Sequence, residues 1–296
     1  MQDIGVVGLG NMGGRIAKRL LNKGYRLHVF DANEQLVESF QTLGAIAEES
    51  LMELAVNCHF VMTVLPNAQV VKQVVLDEKG LIAGLKPGSV LIDITSSVPE
   101  TTREIGGILA QKDIKMIDAP VSGGLKRAED GTLTVMVGGA ESAFSESQTV
   151  LKEIGSNIVH VGELGAGHAI KALNNLISAT TFAITAEALA IGVKMGLKPS
   201  KMLEVINSST GKNNSSENKF PQYVLTRKFN VGFSLDLMYK DLSIATDLAR
   251  EAKVPSFVAS TVFQLWQQAQ LKGNKNTDHS EFAKLIEEMA GVEIVD

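Results

Sequence analysis

The sequence predicts an α/β domain with a largely parallel sheet, followed by a domain built of helices alone. Two observations in the 296 residues lead to this fold class. Up to about residue 164, short apolar runs alternate with amphipathic segments, which is typical of an open sheet with helices on both faces. After Gly165 the strand signals vanish, and the apolar segment 169–195 predicts one long helix. We therefore expect two domains, 1–164 and 165–296, with the connecting helix 165–195 counted in the second.

The individual elements follow from hydrophobic periodicity and from turn residues. In the first domain, strands are predicted at 4–7, 26–30, 59–64, 89–94, 115–117, 132–137 and 157–160, and helices at 11–22, 68–75, 100–111 and 141–154. In the second domain, Gly196 is predicted to end the long helix and Pro199 to begin the next. Further helices are predicted at 200–207, 215–225, 235–253, 255–272 and 280–289.

Composition excludes several classes of protein. The net charge of −5 and the lack of a basic cluster argue against nucleic acid as a partner. The single cysteine, Cys58, has no second cysteine for an internal disulfide, and no motif predicts a metal site. The N-terminus lacks the pattern of a secretory signal, and the long helix carries Lys171, Asn175 and Glu187, which a lipid-facing span tolerates poorly. We expect a cytoplasmic protein without a membrane partner.

A glycine-rich motif, Gly8-Leu9-Gly10-Asn11-Met12-Gly13, lies between the first predicted strand and the first predicted helix. In such a motif the first glycine permits a tight turn, the second lets the backbone approach a pyrophosphate, and the third lets the helix pack against the strand. The helix N-terminus then offers unpaired N–H groups and a partial positive charge to phosphates. The motif predicts a Rossmann-type doubly wound fold in which these six residues contact a dinucleotide.

An acidic residue, Asp31, ends the second predicted strand and indicates which dinucleotide binds. A carboxylate there accepts hydrogen bonds from the adenosine ribose and repels a 2′-phosphate. The next residues, Ala32 and Asn33, supply no arginine to neutralise such a phosphate. NAD is therefore favoured over NADP. The alternative is that Asp31 merely caps the helix that begins near Asn33.

Three further motifs contain residues suited to chemistry. The first ends in Ser122-Gly123-Gly124 after a predicted strand, and such a turn leaves backbone N–H groups free to receive a carboxylate. An ordinary reverse turn explains the same residues equally well. The second, Tyr239-Lys240-Asp241-Leu242, leaves Lys240 either as a surface cation paired with Asp241 or as a residue over the cofactor.

The third motif places Lys171 and Asn175 four residues apart on the long helix, so that they share one face. Burial of a lysine costs several kcal/mol unless the amine is paired or loses its proton. The same environment lowers a lysine pKa from about 10.4 toward the range that is useful for proton transfer. The alternative is a lysine that extends to solvent at an exposed edge.

Taken in their order along the chain, the motifs resemble the β-hydroxyacid dehydrogenase family, which includes 3-hydroxyisobutyrate dehydrogenases and tartronate semialdehyde reductases. The resemblance covers essentially the whole chain and implies an NAD-dependent oxidoreductase that forms a homodimer or homotetramer. It implies that Lys171 is the catalytic acid/base. It also implies that Ser122, Gly123, Gly124 and Asn175 bind the substrate, and that Leu65, Pro66, Asn67, Ser96 and Lys240 lie around the cofactor.

The resemblance also implies the reaction, in which hydride passes from the carbon that bears the β-hydroxyl to NAD and Lys171 moves the hydroxyl proton. The polar segment 207–216 is closer to the Ser-Ser-x-Gly-basic pattern of 3-hydroxyisobutyrate dehydrogenases than to that of tartronate semialdehyde reductases. In it, Lys212 is predicted to contact a second anionic or hydroxyl-rich end of the substrate. A flexible surface loop explains the composition equally well.

Other functions of the same architecture are weighed against this hypothesis. A tartronate semialdehyde reductase and a non-catalytic, cofactor-sensing member of the fold stay open as alternatives. Imine reductases usually carry a different residue where Lys171 stands, which disfavours them. A 6-phosphogluconate dehydrogenase would need a longer chain and phosphate-binding cations that are not found in this sequence.

Overall fold

The computed structural model describes residues 3–296 of the chain. They form two compact units, one ending at Lys171 and the other spanning Ala172–Asp296, each with an apolar core of its own. The division falls within one continuous helix, seven residues beyond the boundary expected at 164/165. The domain boundary therefore stays a prediction.

The first unit contains a nine-stranded sheet whose strand order is β3-β2-β1-β4-β5-β6-β8-β7, with β9 also paired to β8. The strands are β1 (Asp3–Val7), β2 (Arg26–Phe30), β3 (Ile46–Ala47), β4 (Phe60–Thr63), β5 (Val90–Asp93), β6 (Lys115–Asp118), β7 (Val121–Ser122), β8 (Leu133–Gly138) and β9 (Gly155–Gly162). Strands β1 to β6 pair in parallel, and β8 runs antiparallel to β6 and β7 but parallel to β9. The predicted, largely parallel sheet is confirmed.

Seven helices accompany the sheet: α1 (Asn11–Asn22), α2 (Glu34–Thr42), α3 (Leu51–Asn57), α4 (Ala68–Leu76), α5 (Pro99–Ala110), α6 (Gly124–Asp130) and α7 (Glu141–Ile154). Side chains of Asn33, Ser50 and Asn67 accept hydrogen bonds from the first turns of α2, α3 and α4. Helices α3 and α6 are absent from the elements predicted above, as are the two-residue strands β3 and β7, because short segments carry little periodicity. Of α2, only the start near Asn33 was predicted.

Alternation along the central strands produces the two faces of the sheet. In β4, Phe60 and Met62 belong to one apolar cluster, whereas Val61 belongs to the cluster on the other face. Successive side chains of a strand point to opposite faces, so a buried parallel strand is apolar throughout. This explains why the central strands read as continuous apolar runs.

The second unit is helical, as predicted. Its elements are the part of α8 (Ala166–Lys194) after Lys171, α9 (Pro199–Asn207), a π-helix (Ser215–Val224), α10 (Leu235–Glu251), α11 (Phe257–Lys272), a 3₁₀ turn (His279–Glu281) and α12 (Phe282–Ala290). Aromatic rings form the centre of its core: the Trp266 and Phe282 centroids lie 4.4 Å apart, and those of Phe182 and Phe220 4.8 Å apart. The segment expected as an ordinary helix at 215–225 is the π-helix, and it contains Pro221, which lacks an N–H donor.

Among residues 3–296, α8 is the one helix that is long and apolar enough to cross a membrane by length and composition. The most apolar window of the helix has a mean hydropathy of 1.7, and 44% of that window is buried inside the protein. Core helices of soluble proteins meet the same criterion, so this is weak evidence for a span.

Candidate active site

The carboxyl ends of the central parallel strands lie at one edge of the sheet. Val7 pairs with Phe30 and Thr63, Thr63 pairs with Asp93, and Asp93 pairs with Asp118. Strand β1 lies between β2 and β4, where the strand order reverses, and dinucleotides bind outside the carboxyl ends at such a point. The fold brings the loops that contain the predicted cofactor residues of the first unit to this edge: Gly8 to Gly13, Asp31, Leu65, Pro66, Asn67 and Ser96.

The glycine loop has the geometry that a pyrophosphate requires. Gly8 has a φ of +98°, in the region that favours glycine, and a Cβ there would overlap the backbone carbonyl oxygen of Val64. A Cβ on Gly13 would overlap the carbonyl oxygen of Gly8, so the third glycine permits helix packing. Above Gly10, no heavy atom of the described residues lies within 4 Å of a Cβ position. That open space adjoins the N-terminus of α1, so the loop fits a dinucleotide phosphate.

Asp31 binds one backbone N–H of the glycine loop and one of the segment that follows β2. One of its carboxylate oxygens accepts a hydrogen bond from the Leu9 N–H at 2.6 Å, and the other accepts one from the Asn33 N–H at 2.8 Å. The helix cap is Asn33, whose side chain accepts from the Gln35 N–H, so the alternative that Asp31 merely caps α2 is wrong. A carboxylate has about four lone-pair sites, which leaves acceptor capacity for ribose hydroxyls.

The loops after β4 and β5 are bonded to each other. The Leu65 N–H donates to the Thr95 hydroxyl at 3.0 Å, and the Thr95 N–H donates to a carboxylate oxygen of Asp93. The Asn67 side chain accepts from the Val70 N–H as the cap of α4. These bonds orient the segment 65–67 beside Ser96 at the edge where the glycine loop lies.

The Ser-Gly-Gly motif lies at a strand-to-helix junction. Ser122 ends β7 and pairs with Thr134 of β8, and Gly124 begins α6. Gly123 has a φ of +137°, so a residue with a side chain would be strained there. The predicted role of this turn in binding a carboxylate stays a prediction.

The start of α8 is fixed by Asp118, which ends β6 four residues before Ser122. Its buried carboxylate accepts hydrogen bonds from the Gly165 N–H and the His168 N–H, each at 2.7 Å. A Cβ on Gly167 would lie 2.8 Å from an Asp118 carboxylate oxygen, so only a glycine lets the helix start approach this closely. Lys171 follows His168 by three residues on the same helix. The carboxylate of Asp118 thus connects the segment that leads to Ser122 with the helix start that leads to Lys171.

A buried polar cluster lies around His168. Its Nδ1 is 2.8 Å from the Thr102 hydroxyl oxygen, and its Nε2 is 3.8 Å from the Asp93 Oδ2. Neither His168 Nε2 nor Asp93 Oδ2 has a hydrogen-bond partner within residues 3–296. Burial raises the pKa of Asp93, and the nearby His168 and the hydrogen bonds from Thr95 and Thr63 oppose that shift. Sequence reasoning missed this cluster, although His168 lies only three residues before Lys171.

Lys171 and Asn175 are both buried, with exposed fractions of 8% and 7%. A lysine on an exposed edge, the alternative left open by the sequence, is therefore wrong. The Asn175 Nδ2 donates to a carboxylate oxygen of Asp241 at 2.6 Å, and the Lys240 Nζ lies 3.6 Å from the other oxygen. Lys240 is paired with Asp241 as one alternative proposed. Asp241 was not predicted to hold Asn175, because 66 residues separate the two in sequence.

Lys212 lies apart from these contacts. Its Nζ is 2.9 Å from a carboxylate oxygen of Glu217, and both side chains are about half exposed. The neighbouring Asn213 side chain accepts hydrogen bonds from the N–H groups of Ser215 and Ser216. The role predicted for Lys212 in substrate binding stays a prediction. In residues 3–296, no group of three or more His, Cys, Asp or Glu side chains is arranged to hold a metal ion.

Two family models match the chain. Residues 3–162 match the NAD binding domain of 6-phosphogluconate dehydrogenase, and residues 165–286 match the NAD-binding domain of NADP-dependent 3-hydroxyisobutyrate dehydrogenase. Together they cover both halves of the predicted architecture.

Individual relatives match over nearly the full length. The chain is 39% identical to 2-(hydroxymethyl)glutarate dehydrogenase of Eubacterium barkeri, over 98% of this chain and 97% of that protein. It is 37% identical to 3-hydroxyisobutyrate dehydrogenase of Pseudomonas aeruginosa, over 96% and 98% of the two chains. The structure of Mycobacterium tuberculosis 3-hydroxyisobutyrate dehydrogenase with L-serine superposes with a TM-score of 0.91 at 28% identity, covering 97% of this chain and 99% of that one.

Proposed function

Because this chain belongs to the β-hydroxyacid dehydrogenase family and is an NAD-dependent oxidoreductase of hydroxyacids, we propose that it uses Lys171 as its acid/base. The proposed reaction converts a small β-hydroxyacid to its semialdehyde or keto acid, as in 3-hydroxyisobutyrate dehydrogenases. One observation carries the assignment: Lys171 is a buried lysine on a helix whose start is fixed by the carboxylate of Asp118. A lysine held in this way has a defined position for proton transfer.

The reaction divides between cofactor and protein. NAD, when bound, accepts the hydride from the carbon that bears the hydroxyl. The Lys171 amine removes the hydroxyl proton during oxidation and returns a proton to the oxygen during reduction. Since one group serves both directions, the site needs no second acid/base residue.

Ser122, Gly123, Gly124 and Asn175 are proposed to hold the carboxylate of the substrate. The bond to Asp241 uses one of the two N–H groups of the Asn175 amide and fixes the orientation of that amide. The second N–H is then available to a carboxylate oxygen. A buried amide bonded to a carboxylate is positioned before the substrate binds, which reduces the entropy lost on binding.

Two substrates are proposed, in order. The first is 3-hydroxyisobutyrate, because the polar segment 207–216 and the relative from Pseudomonas aeruginosa both favour it. The second is 2-(hydroxymethyl)glutarate, because the relative from Eubacterium barkeri shares 39% identity. Both compounds carry a hydroxymethyl group on the carbon next to a carboxylate, so they present the same reacting end.

The proposal is tested by NADH formation from NAD with a panel of β-hydroxyacids. The panel contains both proposed substrates, with tartronate semialdehyde and NADH as a test in the reverse direction. We expect turnover with at least one hydroxymethyl acid, and weaker activity with NADP because Asp31 repels its 2′-phosphate. Binding of NAD without turnover of any panel member would contradict the proposal and favour the cofactor-sensing alternative.

We also propose that the enzyme is a homodimer or homotetramer. Ile177, Ile184 and Ile191 follow one another at intervals of seven on α8, and each is more than half exposed. Residues at this spacing form one stripe, and exposed apolar stripes commonly mark interfaces. Ile184→Asp is expected to lower the mass measured by light scattering after gel filtration. An unchanged mass would contradict the use of this stripe.

We propose a cytoplasmic location because one face of α8 is packed inside the protein. The opposite face of α8 contains Phe182, Ala186 and Leu189, which lie in the apolar core of the second unit. A helix packed in this way already has a partner for its apolar face. Recovery in the membrane fraction after cell lysis and salt washing would contradict this location.

A further inference from the structure

We infer that Asp93 and His168 form a buried pair that shares one proton and positions the turn of α8 with Lys171 against the loops that follow β4 and β5. The two are positioning residues, because they act through Lys171 and the cofactor loops and not on the reacting atoms. The inference rests on the proposed function, in which Lys171 is the acid/base. The pair and its hydrogen-bond partners all lie in the first unit, which ends at Lys171.

Two buried polar atoms in this cluster lie near each other without another partner. The side chains of His168 and Asp93 are fully buried, and His168 Nε2 lies 3.8 Å from Asp93 Oδ2. Neither atom has a hydrogen bond to any other group within residues 3–296. Without a proton, both atoms would present lone pairs to each other, whereas a proton on either atom makes one the donor and the other the acceptor. One proton therefore lies between them.

The rest of the His168 residue is already bonded, which leaves Nε2 for Asp93. Its Nδ1 lies 2.8 Å from the Thr102 hydroxyl oxygen, and its backbone N–H donates to Asp118. The Asp118 Oδ2 is also 3.8 Å from Nδ1, but each oxygen of that carboxylate accepts a backbone N–H, from Gly165 or from His168. Asp93 Oδ2 is thus the carboxylate oxygen near the ring that still lacks a hydrogen bond.

The Asp93 carboxylate connects the cofactor loops to the start of α8. Its Oδ1 accepts hydrogen bonds from the Thr63 hydroxyl at 2.9 Å and the Thr95 N–H at 3.1 Å. The Thr95 hydroxyl in turn accepts from the Leu65 N–H at 3.0 Å, so the loops after β4 and β5 are both bonded to this network. The other oxygen lies near the imidazole ring, about one helical turn before Lys171. A single side chain therefore sets the spacing between the loops proposed to hold the cofactor and the turn that carries the acid/base.

A carboxylate at this place lowers the stability of the fold. Burial raises the pKa of Asp93, and the charge of His168 and the hydrogen bonds from Thr95 and Thr63 oppose the shift. Because the ionised form is disfavoured in the folded state, a neutral side chain with the same hydrogen bonds would be more stable. Titratable groups with perturbed pKa values cluster at functional sites. A role in the reaction therefore explains the pair better than a role in folding.

The test compares two amide variants of His168. The amide of glutamine lies as many bonds from the Cβ as Nε2 does, so His168→Gln keeps a donor toward Asp93. The amide of asparagine lies as many bonds from the Cβ as Nδ1 does, so His168→Asn keeps the contact with Thr102 and loses the one with Asp93. We expect kcat for the best β-hydroxyacid to fall about 10–100-fold in His168→Asn, since a displaced acid/base has that effect, and much less in His168→Gln.

The affinity for NAD separates positioning from a loss of the fold. The Kd for NAD should stay close to the wild-type value in both variants, because the glycine loop and Asp31, which hold the phosphates and the ribose in the proposed site, are unchanged. Asp93→Asn keeps the Oδ1 acceptor and supplies an N–H toward His168, so its kcat should stay near that of the wild type. His59→Asn, exposed at the amino end of β4, is the matched control and should leave kcat unchanged.

Three results would overturn the inference. The first is a normal kcat in His168→Asn. The second is an equal fall of kcat in His168→Asn and His168→Gln, which would show that the volume of the ring matters and its contact with Asp93 does not. The third is a kcat in Asp93→Asn as low as in His168→Asn. Melting temperatures are measured for every variant, so that kcat is compared where all are folded.

Hydrogen exchange of backbone amides gives a readout that does not depend on turnover. In the wild type, NAD should slow exchange in the segment 165–171, because the loops that it contacts are bonded to α8 through the pair. This slowing should persist in His168→Gln and be lost in His168→Asn, and slowing of equal size in both variants would overturn the inference. If the slowing depends on His168 in this way but Lys171→Ala turns over normally, the proposed function fails while the positioning pair stands.

Discussion

The start of α8 and the segment 207–216 are both polar, and both were predicted to contact the substrate, yet they are built differently. Around the start of α8, buried side chains bond to partners far away in sequence: 47 and 50 residues separate Asp118 from Gly165 and His168. In the segment 207–216, most bonds join residues within ten positions, such as Asn207 and Ser216. Buried long-range bonds hold a group against partners from elsewhere in the chain, whereas bonds between residues close in sequence order a segment without fixing it to the rest of the protein.

The largest effect is expected from the buried lysine of the first region. Lys171→Ala should lower kcat by about 10²–10⁴-fold, because proton transfer by a positioned group contributes that much, while NAD affinity is kept. Steady-state kinetics measure kcat, and NAD titration measures the affinity for NAD. Lys194→Ala, at the exposed C-terminal end of the same helix, is the control. Near-normal turnover of Lys171→Ala would show that the buried lysine of the first region is not the acid/base.

Removal of the helix anchor should come next. Asp118→Ala leaves two buried N–H groups without their acceptor, at about 1–3 kcal/mol each, so the free energy of unfolding should fall by about 2–6 kcal/mol. Turnover should fall as well, because the anchored turn carries Lys171. Urea denaturation and kcat measure these effects, with the exposed Asp77→Ala as control. Equal stability of the two variants would show that Asp118 is not an anchor.

A moderate effect is expected at the partner of Asn175. Asp241→Leu removes the carboxylate that orients the amide, and the loss of a hydrogen bond to a charged group, about 1.5–3 kcal/mol, should raise the substrate KM about tenfold or more. Asp241→Asn retains an acceptor and should restore much of the affinity. A purely structural role would instead lower the amount of folded protein and leave KM unchanged in the fraction that folds.

A smaller, pH-dependent effect is expected at Asp93. Its pKa is raised in the folded state, so its contribution to stability is complete below the unfolded pKa, about 3.9, and is lost as pH rises through the folded pKa. Asp93→Asn keeps an acceptor for Thr63 and Thr95 and removes the buried charge. We expect it to raise the melting temperature at pH 7 by a few degrees. The gain should shrink as pH falls toward 4, and a gain independent of pH would contradict this explanation.

The smallest effect is expected in the segment 207–216. Glu217→Gln breaks the exposed pair with Lys212 and should change the free energy of unfolding by less than about 1 kcal/mol. Urea denaturation measures it beside Asp118→Ala. If Glu217→Gln lowered the free energy of unfolding as much as Asp118→Ala, the bonds of the two regions would not differ in their contribution to stability.

Much of the fold was predictable because its signals are local. The glycine loop needs only a strand, a turn and a helix in succession, and the atom that a Cβ on Gly13 would overlap, the carbonyl oxygen of Gly8, lies five residues away in sequence. Alternation of strands and helices predicted the parallel sheet, since both faces of its strands are buried. The short elements β3, β7 and α6 were missed because two to seven residues do not establish a period.

The candidate site was predictable only in its residue types. Lys171 and Asn175 were singled out by their spacing on one helix, and the family resemblance implied their roles. The carboxylates of Asp118, which binds the start of that helix, and of Asp241, which binds Asn175, were not predicted, because they approach through folding. The role of Lys212 was predicted from the composition of segment 207–216, and the sequence did not reveal its ion pair with Glu217.

The amino-acid sequence by itself determined the architecture and the NAD-binding glycine turn, and it singled out Lys171 as the candidate acid/base, because strand alternation, a glycine turn and helical spacing are properties of neighbouring residues. The tertiary structure decided which carboxylates bind the start of α8, Asn175 and Lys212. Burial and long-range hydrogen bonds depend on residues that meet only when the chain has folded.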